Sequence, residues 1–141
     1  MGAIGRSVTT SGSGRKAIAH ALREAGLSYR LNRADLPGRP TIVVRKAGAV
    51  IFVRNCFASR HHGCTSCTTP QTRRRFWQTR FNRTGQDDDD ARHSLIISGW
   101  RVAVIWECAV AESAEKTAAE LVEWLEGSSP KFETRVVATT E

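Results

Sequence analysis

Residues 36–57 read LPGRPTIVVRKAGAVIFVRNCF, and this stretch decides the fold. Leu36-Pro37-Gly38-Arg39-Pro40 is a turn, because each proline fixes φ and the glycine supplies a conformation other residues resist. Two runs rich in β-branched residues follow, Thr41–Arg45 and Ala49–Arg54, with Lys46-Ala47-Gly48 between them. That pattern predicts a β-hairpin. Farther along, Trp100–Trp106 is an almost continuous apolar run, suited to a strand buried on both faces. Helical periodicity surrounds these strands. Ile18, Ala21, Leu22 and Ala25 share one face of a helix predicted over 15–25 and stopped at Gly26. Residues 73–84 predict a second helix, and Asp87–Asp90 predict the start of a third, with Leu95 and Ile96 inward and Gly99 as its stop. Ser113 is placed to cap a last helix whose Ala118, Leu121, Val122 and Leu125 face the core before Gly127. Leu27–Leu31 and Phe132–Ala138 predict short extended segments. The elements together predict an α/β domain, a mixed β-sheet flanked by helices.

The 141 residues suffice for one domain with a real core. Residues 1–14, with Ser11-Gly12-Ser13-Gly14, read as a flexible arm, leaving 15–141 as the single domain. The net charge of +7 is unevenly spread: residues 1–86 carry sixteen Lys/Arg and two acids, Glu24 and Asp35, while 107–141 hold eight acids against three bases. A polycationic first two-thirds points to a polyanion such as nucleic acid as partner. No apolar run is long enough to span a bilayer and no secretory signal is visible, so the expected location is cytoplasmic. In that compartment the four cysteines are expected to be metal ligands or reduced thiols.

Residues 55–72 show little periodicity and predict an irregular loop, yet they contain Cys56, Cys64 and Cys67 with His61 and His62, and Cys108 ends the buried strand. Thiolates mixed with imidazole favour tetrahedral zinc, and a metal clip explains how a loop without a core holds one shape. The candidates outnumber four positions, so spacing leaves the ligand set open. A redox pair Cys64–Cys67 is the competing reading, against which stands the lack of a thioredoxin-like βαβ pattern. Next, Phe76, Trp77 and Phe81 alternate with Arg73, Arg74, Arg75, Arg80 and Arg83, without an acid among them. Aromatic rings on such a helix pack on the core or enter a base stack. The arginines, which have no local partner, suit phosphates.

Several motifs occur in one order: Leu36-Pro-Gly-Arg-Pro40 before a strand, Val53-x-x-Cys56-Phe57, His61-x-x-Cys64, Phe76-Trp77, Asp88, Gly99-Trp100-Arg101-Val102 and Trp106-Glu107-Cys108. In these the chain resembles the very short patch repair (Vsr) DNA mismatch endonucleases. The resemblance implies a restriction-endonuclease-like fold with a structural zinc loop. It also implies a bacterial, nucleoid-associated enzyme that nicks double-stranded DNA beside a T:G mismatch using Mg²⁺, acting as a monomer. It assigns zinc to Cys56, His61, Cys64 and Cys108, leaving Cys67 as an extra thiol. The aromatic side chains entering the DNA correspond to Phe57 and Trp77, with Ala58 where a third ring is usual. Of the catalytic positions Asp88 is retained. Thr41 stands where the family has the magnesium-binding aspartate, Arg54 and Ser59 where it has histidines, Arg15 where a glutamate is expected and Thr84 where an asparagine is. A threonine hydroxyl is a weak magnesium ligand and an arginine repels the cation. The expectation is a chain that binds DNA and cleaves it poorly or not at all. The alternative is a zinc-containing DNA-binding module without mismatch preference.

Overall fold

Side-chain alternation in the central strands sorts the core into two layers, one on each face of a single sheet. A computed structural model describes residues 10–61, 64 and 70–135. Its strands are β1 (Arg30–Leu31), β2 (Ile42–Val44), β3 (Ala49–Arg54), β4 (Arg101–Trp106) and β5 (Lys131–Thr134), hydrogen-bonded in that spatial order. β1, β2 and β3 are antiparallel neighbours, while β3, β4 and β5 run parallel. The predicted hairpin is present, with Val43 opposite Val50 and a 3₁₀ turn over Arg45–Ala47. The parallel pair aligns Val50 with Val102 and Arg54 with Trp106. This is the predicted mixed sheet flanked by helices.

The helices are α1 (Thr10–Glu24), α2 (Cys56–Ser59), α3 (Arg74–Ile97), α4 (Glu107–Glu112) and α5 (Ala114–Glu126). Ile42, Val44, Ile51, Ala103 and Ile105 meet Ile18 and Leu22 of α1 and Leu121 and Leu125 of α5 on one face. Val43, Val50, Phe52, Val102, Val104 and Trp106 meet Leu95 of α3 on the other. Gly38 fixes the 36–40 turn against α3. Its φ is +75°, and a Cβ there would lie 2.7 Å from the Ala91 Cβ, so both conformation and space demand glycine.

Four features differ from the sequence-based expectation. First, α1 begins at Thr10, so residues 11–14 are helical instead of linker. Gly14 lets the helix close on the sheet, its absent Cβ leaving 3.3 Å to a Val53 methyl. Second, the loop expected over 55–72 opens with the short helix α2, capped by the Asn55 side chain. Third, the two helices predicted over 73–84 and from Asp87 are one continuous helix, α3. Fourth, α4 follows β4 directly, where no helix was expected. The last strand covers Lys131–Thr134; residues 136–138 of that prediction, and Cys67 and His62, lie outside the described residues.

Candidate metal cluster and nucleic-acid interface

Parallel strands end side by side, and that geometry builds the cluster. Arg54 and Trp106 are register partners, so Cys56, just after β3, and Cys108, just after β4, leave the sheet as neighbours. The chain then folds back through α2 and brings His61 over the pair. The His61 Nε2 is 3.2 Å from the Cys108 Sγ and 3.7 Å from the Cys56 Sγ. With Cys64, all four ligand atoms lie within 4.8 Å of one another. Bonds of about 2.3 Å to sulfur and 2.0 Å to nitrogen place tetrahedral ligand atoms roughly 3.3–3.8 Å apart, so this set can hold a metal ion. Burial pushes the Cys56 thiol up, against the opposing pull of the Cys108 backbone N–H. A divalent cation at this cluster would stabilise the thiolates that metal binding requires. The His61 ring also lies 4.7 Å from the ring of Trp106, which fixes its edge toward the cysteines.

Asn55 joins this loop to the sheet. Its Oδ1 accepts from the Ala58 N–H at 3.0 Å, and its Nδ2 donates to the Glu107 Oε1 at 3.2 Å. Glu107 is buried, and its second oxygen has no hydrogen-bond partner among the described residues. Sequence reasoning gave neither residue a role. The cap signature of an asparagine before Cys56 was the available signal.

The aromatic residues form one group beside the cluster. Phe57 is 5.7 Å from Trp77 and 5.3 Å from Phe81, and Phe76 lies 5.3 Å from Trp77, centroid to centroid. Phe81 is buried, Phe57 and Trp77 are half-buried, and Phe76 is 41% exposed. Ala58 is exposed. Arg73, Arg74, Arg75, Arg80 and Arg83 all reach solvent around these rings, and none of them has a salt bridge among the described residues. Arg75, Phe76, Arg80 and Arg83 line one open groove of 660 Å³.

The remaining candidates separate. Thr41 begins the hairpin, and its Oγ1 accepts the Val53 N–H at 3.1 Å. Arg54, Ser59 and Asp88 meet in a 240 Å³ pocket on the α3 side of the sheet, edged by Arg92 and Glu133. There Arg54 Nη1 donates to Asp88 Oδ1 at 2.9 Å and its guanidinium stacks 4.3 Å from the Phe52 centroid, with Ser59 lining the same pocket. The Arg54 and Asp88 side chains are only 12% and 23% exposed. Burial raises the Asp88 carboxyl above the usual range and lowers the Arg54 guanidinium, each outweighing the attraction of its partner. A hydroxyl already engaged by the backbone and a carboxylate already paired with arginine do not fit a magnesium site.

A mixed sheet with helices on both faces, a Cys/His cluster at its strand ends and a basic aromatic surface beside it define a restriction-endonuclease-like protein. Comparison with known proteins narrows the class. The family described as DNA mismatch endonuclease Vsr matches residues 3–66. The chain is 37% identical over 127 residues to the DNA mismatch endonuclease Vsr of Escherichia coli K12, covering 85% of this chain and 80% of that one. It is 36% identical over 97 residues to the Type II nicking enzyme V.XorIIP of Xanthomonas oryzae pv. oryzae, covering 69% and 71% of the two chains. It is 30% identical over 89 residues to the Type II nicking enzyme V.NmeAIP of Neisseria meningitidis. The chain belongs to the Vsr family. No helix among the described residues is long and apolar enough to cross a membrane.

Proposed function

We propose that this chain is a Vsr-type DNA repair protein that binds double-stranded DNA, with preference for a T:G mismatch, and is impaired or inactive in strand cleavage. It acts as a monomer on bacterial DNA in the cytoplasm, through one domain preceded by an arm. Zinc, held by Cys56, His61, Cys64 and Cys108, ties the ends of β3 and β4 to the loop between them and has no part in hydrolysis. Phe57 and Trp77 enter the base stack, and Arg73, Arg74, Arg75, Arg80 and Arg83 meet phosphates.

The observation that carries the impairment is the 2.9 Å ion pair between Arg54 and Asp88. Phosphodiester hydrolysis needs a cation held by anionic ligands and a water it activates. Here the retained carboxylate faces an internal guanidinium, and Thr41 offers no charge. Ser59, Thr84 and Arg15 supply no general base in place of the residues the family has there. The test compares T:G and C:G duplexes for binding and for nicking with Mg²⁺ present. Binding of the T:G duplex without nicking is expected. Nicking above the rate of a Thr41→Ala control overturns the impairment. Thr41→Asp combined with Arg54→His and Ser59→His is expected to restore nicking. Ala58, which leaves the intercalating set one ring short, favours a second reading, a DNA-binding module without mismatch preference. Equal affinity for the two duplexes would select it.

A further inference from the structure

Arg60 stands between the metal cluster and the aromatic group and belongs to neither. Its backbone has φ 57° and ψ 141°, a region open to glycine and costly for any residue with a Cβ. Two sets of contacts hold it there. On the cluster side, its N–H donates to the Cys56 carbonyl at 3.1 Å, and the next residue is His61. On the aromatic side, its guanidinium carbon lies 3.5 Å from the Phe81 centroid and 5.3 Å from that of Phe57, while its Nε donates to the Phe57 carbonyl at 3.1 Å. Arg60 is half-buried, unlike the exposed arginines of α3. A shift of the backbone at residue 60 therefore moves an imidazole ligand in one direction and the ring stack in the other.

We propose that Arg60 is a positioning residue that couples metal occupancy of the cluster to the arrangement of Phe57, Trp77 and Phe81. With the ion bound to Cys56 and His61, the segment between them is held in its strained turn, and the guanidinium clamps Phe57 against α3. Without the ion the tie between Cys56 and His61 weakens, residue 60 relaxes, the clamp opens and the rings lose their common orientation. DNA affinity thus depends on a metal that takes no part in hydrolysis. This rests on the DNA-binding function proposed above.

The test uses the full chain as wild type, Arg60→Gly and Arg60→Lys, loaded with Zn²⁺ and stripped by a chelator. Three quantities are read: Zn²⁺ affinity by chelator competition, near-ultraviolet circular dichroism of the rings, and duplex affinity. In the wild type, stripping is expected to remove part of the ring signal and most of the duplex affinity, and Zn²⁺ to restore both. Arg60→Gly removes the guanidinium but suits the backbone. It is expected to bind Zn²⁺ at least as tightly as the wild type, yet to lose ring signal and about tenfold in duplex affinity while loaded. Arg60→Lys keeps a cation over the rings and is expected to recover part of both. Loaded Arg60→Gly with wild-type ring signal and duplex affinity overturns the proposal, as does a wild-type ring signal indifferent to Zn²⁺. If the wild type binds no duplex at all, the DNA-binding function fails, while the ring signal against Zn²⁺ still decides the coupling.

Discussion

At the residue scale, Arg54 and Asp88 form an internal ion pair at 2.9 Å. Each side chain is mostly buried, and for each the removal from water outweighs the partner's charge. Asp88 therefore takes up a proton more readily in the folded chain than in the unfolded one. A carboxyl raised in this way contributes stability below its unfolded pKa, and that contribution is lost as pH rises through the folded value. Arg54→Leu removes the largest opposing influence, the guanidinium, and leaves burial. The Asp88 carboxyl is then expected to rise further, and the folded state to lose more stability between mildly acidic and neutral buffer than the wild type does. NMR titration of the Asp88 carboxyl carbon checks the first point and thermal melts the second. An unchanged titration would mean that the 2.9 Å contact carries no electrostatic weight.

Among the elements, α3 shows where sequence reasoning stopped and why. Phe81, Asp88 and Leu95 are spaced by seven and lie on one inward stripe, Phe81 and Leu95 buried and Asp88 partly so. A carboxylate in the middle of the stripe reads as an interruption, which splits one helix into two on paper. Its partner, Arg54, comes from β3, far away in sequence. The neighbouring aspartates find local partners instead, Asp90 from Gln86 at 3.0 Å and Asp89 from Arg92 at 2.9 Å. Replacing one member of a largely buried pair strands the other. We expect Asp88→Leu to destabilise the fold by about 1–3 kcal/mol, and the double variant Asp88→Leu with Arg54→Leu to recover most of that loss or exceed the wild type. Denaturant melts of the four proteins give the coupling directly, and a double variant worse than the sum of the singles would refute it. The rest of the fold was more legible. Alternation in 42–54 and 101–106 set the two core layers, and Ser113 caps α5 by accepting the Lys116 N–H as its position predicted. The meeting of Cys108 with Cys56 was not legible from spacing, because it depends on the register of β3 with β4. The role proposed for Arg60 was hidden too, because the nearer of its two rings, Phe81, comes from α3.

Across the whole molecule, charge is grouped by element. The first half of α3 and its cap expose Arg73, Arg74, Arg75, Arg80 and Arg83 around the rings, whereas α5, on the opposite face of the sheet, exposes Glu115, Glu123 and Glu126 beside Lys116. The densest run of exposed arginine thus lies on the α3 side, which is the face a polyanion is expected to meet. Each phosphate neutralised releases counterions and adds about −0.9 to the slope of log K against log salt. If the five arginines of α3 and its cap each meet one phosphate, the slope is roughly −4.5, a several-hundred-fold loss of affinity for a fourfold rise in salt. Arg75→Ala and Arg80→Ala are each expected to flatten the slope by about 1 while leaving T:G preference unchanged, because phosphate contacts carry no base information. Lys116→Ala, on α5, serves as the control and is expected to leave the slope as it was. Affinities of wild type and variants across a salt series decide the matter. A flat response in the wild type would remove DNA as the partner, and an equal effect from Lys116→Ala would show that net charge, not the α3 face, drives binding.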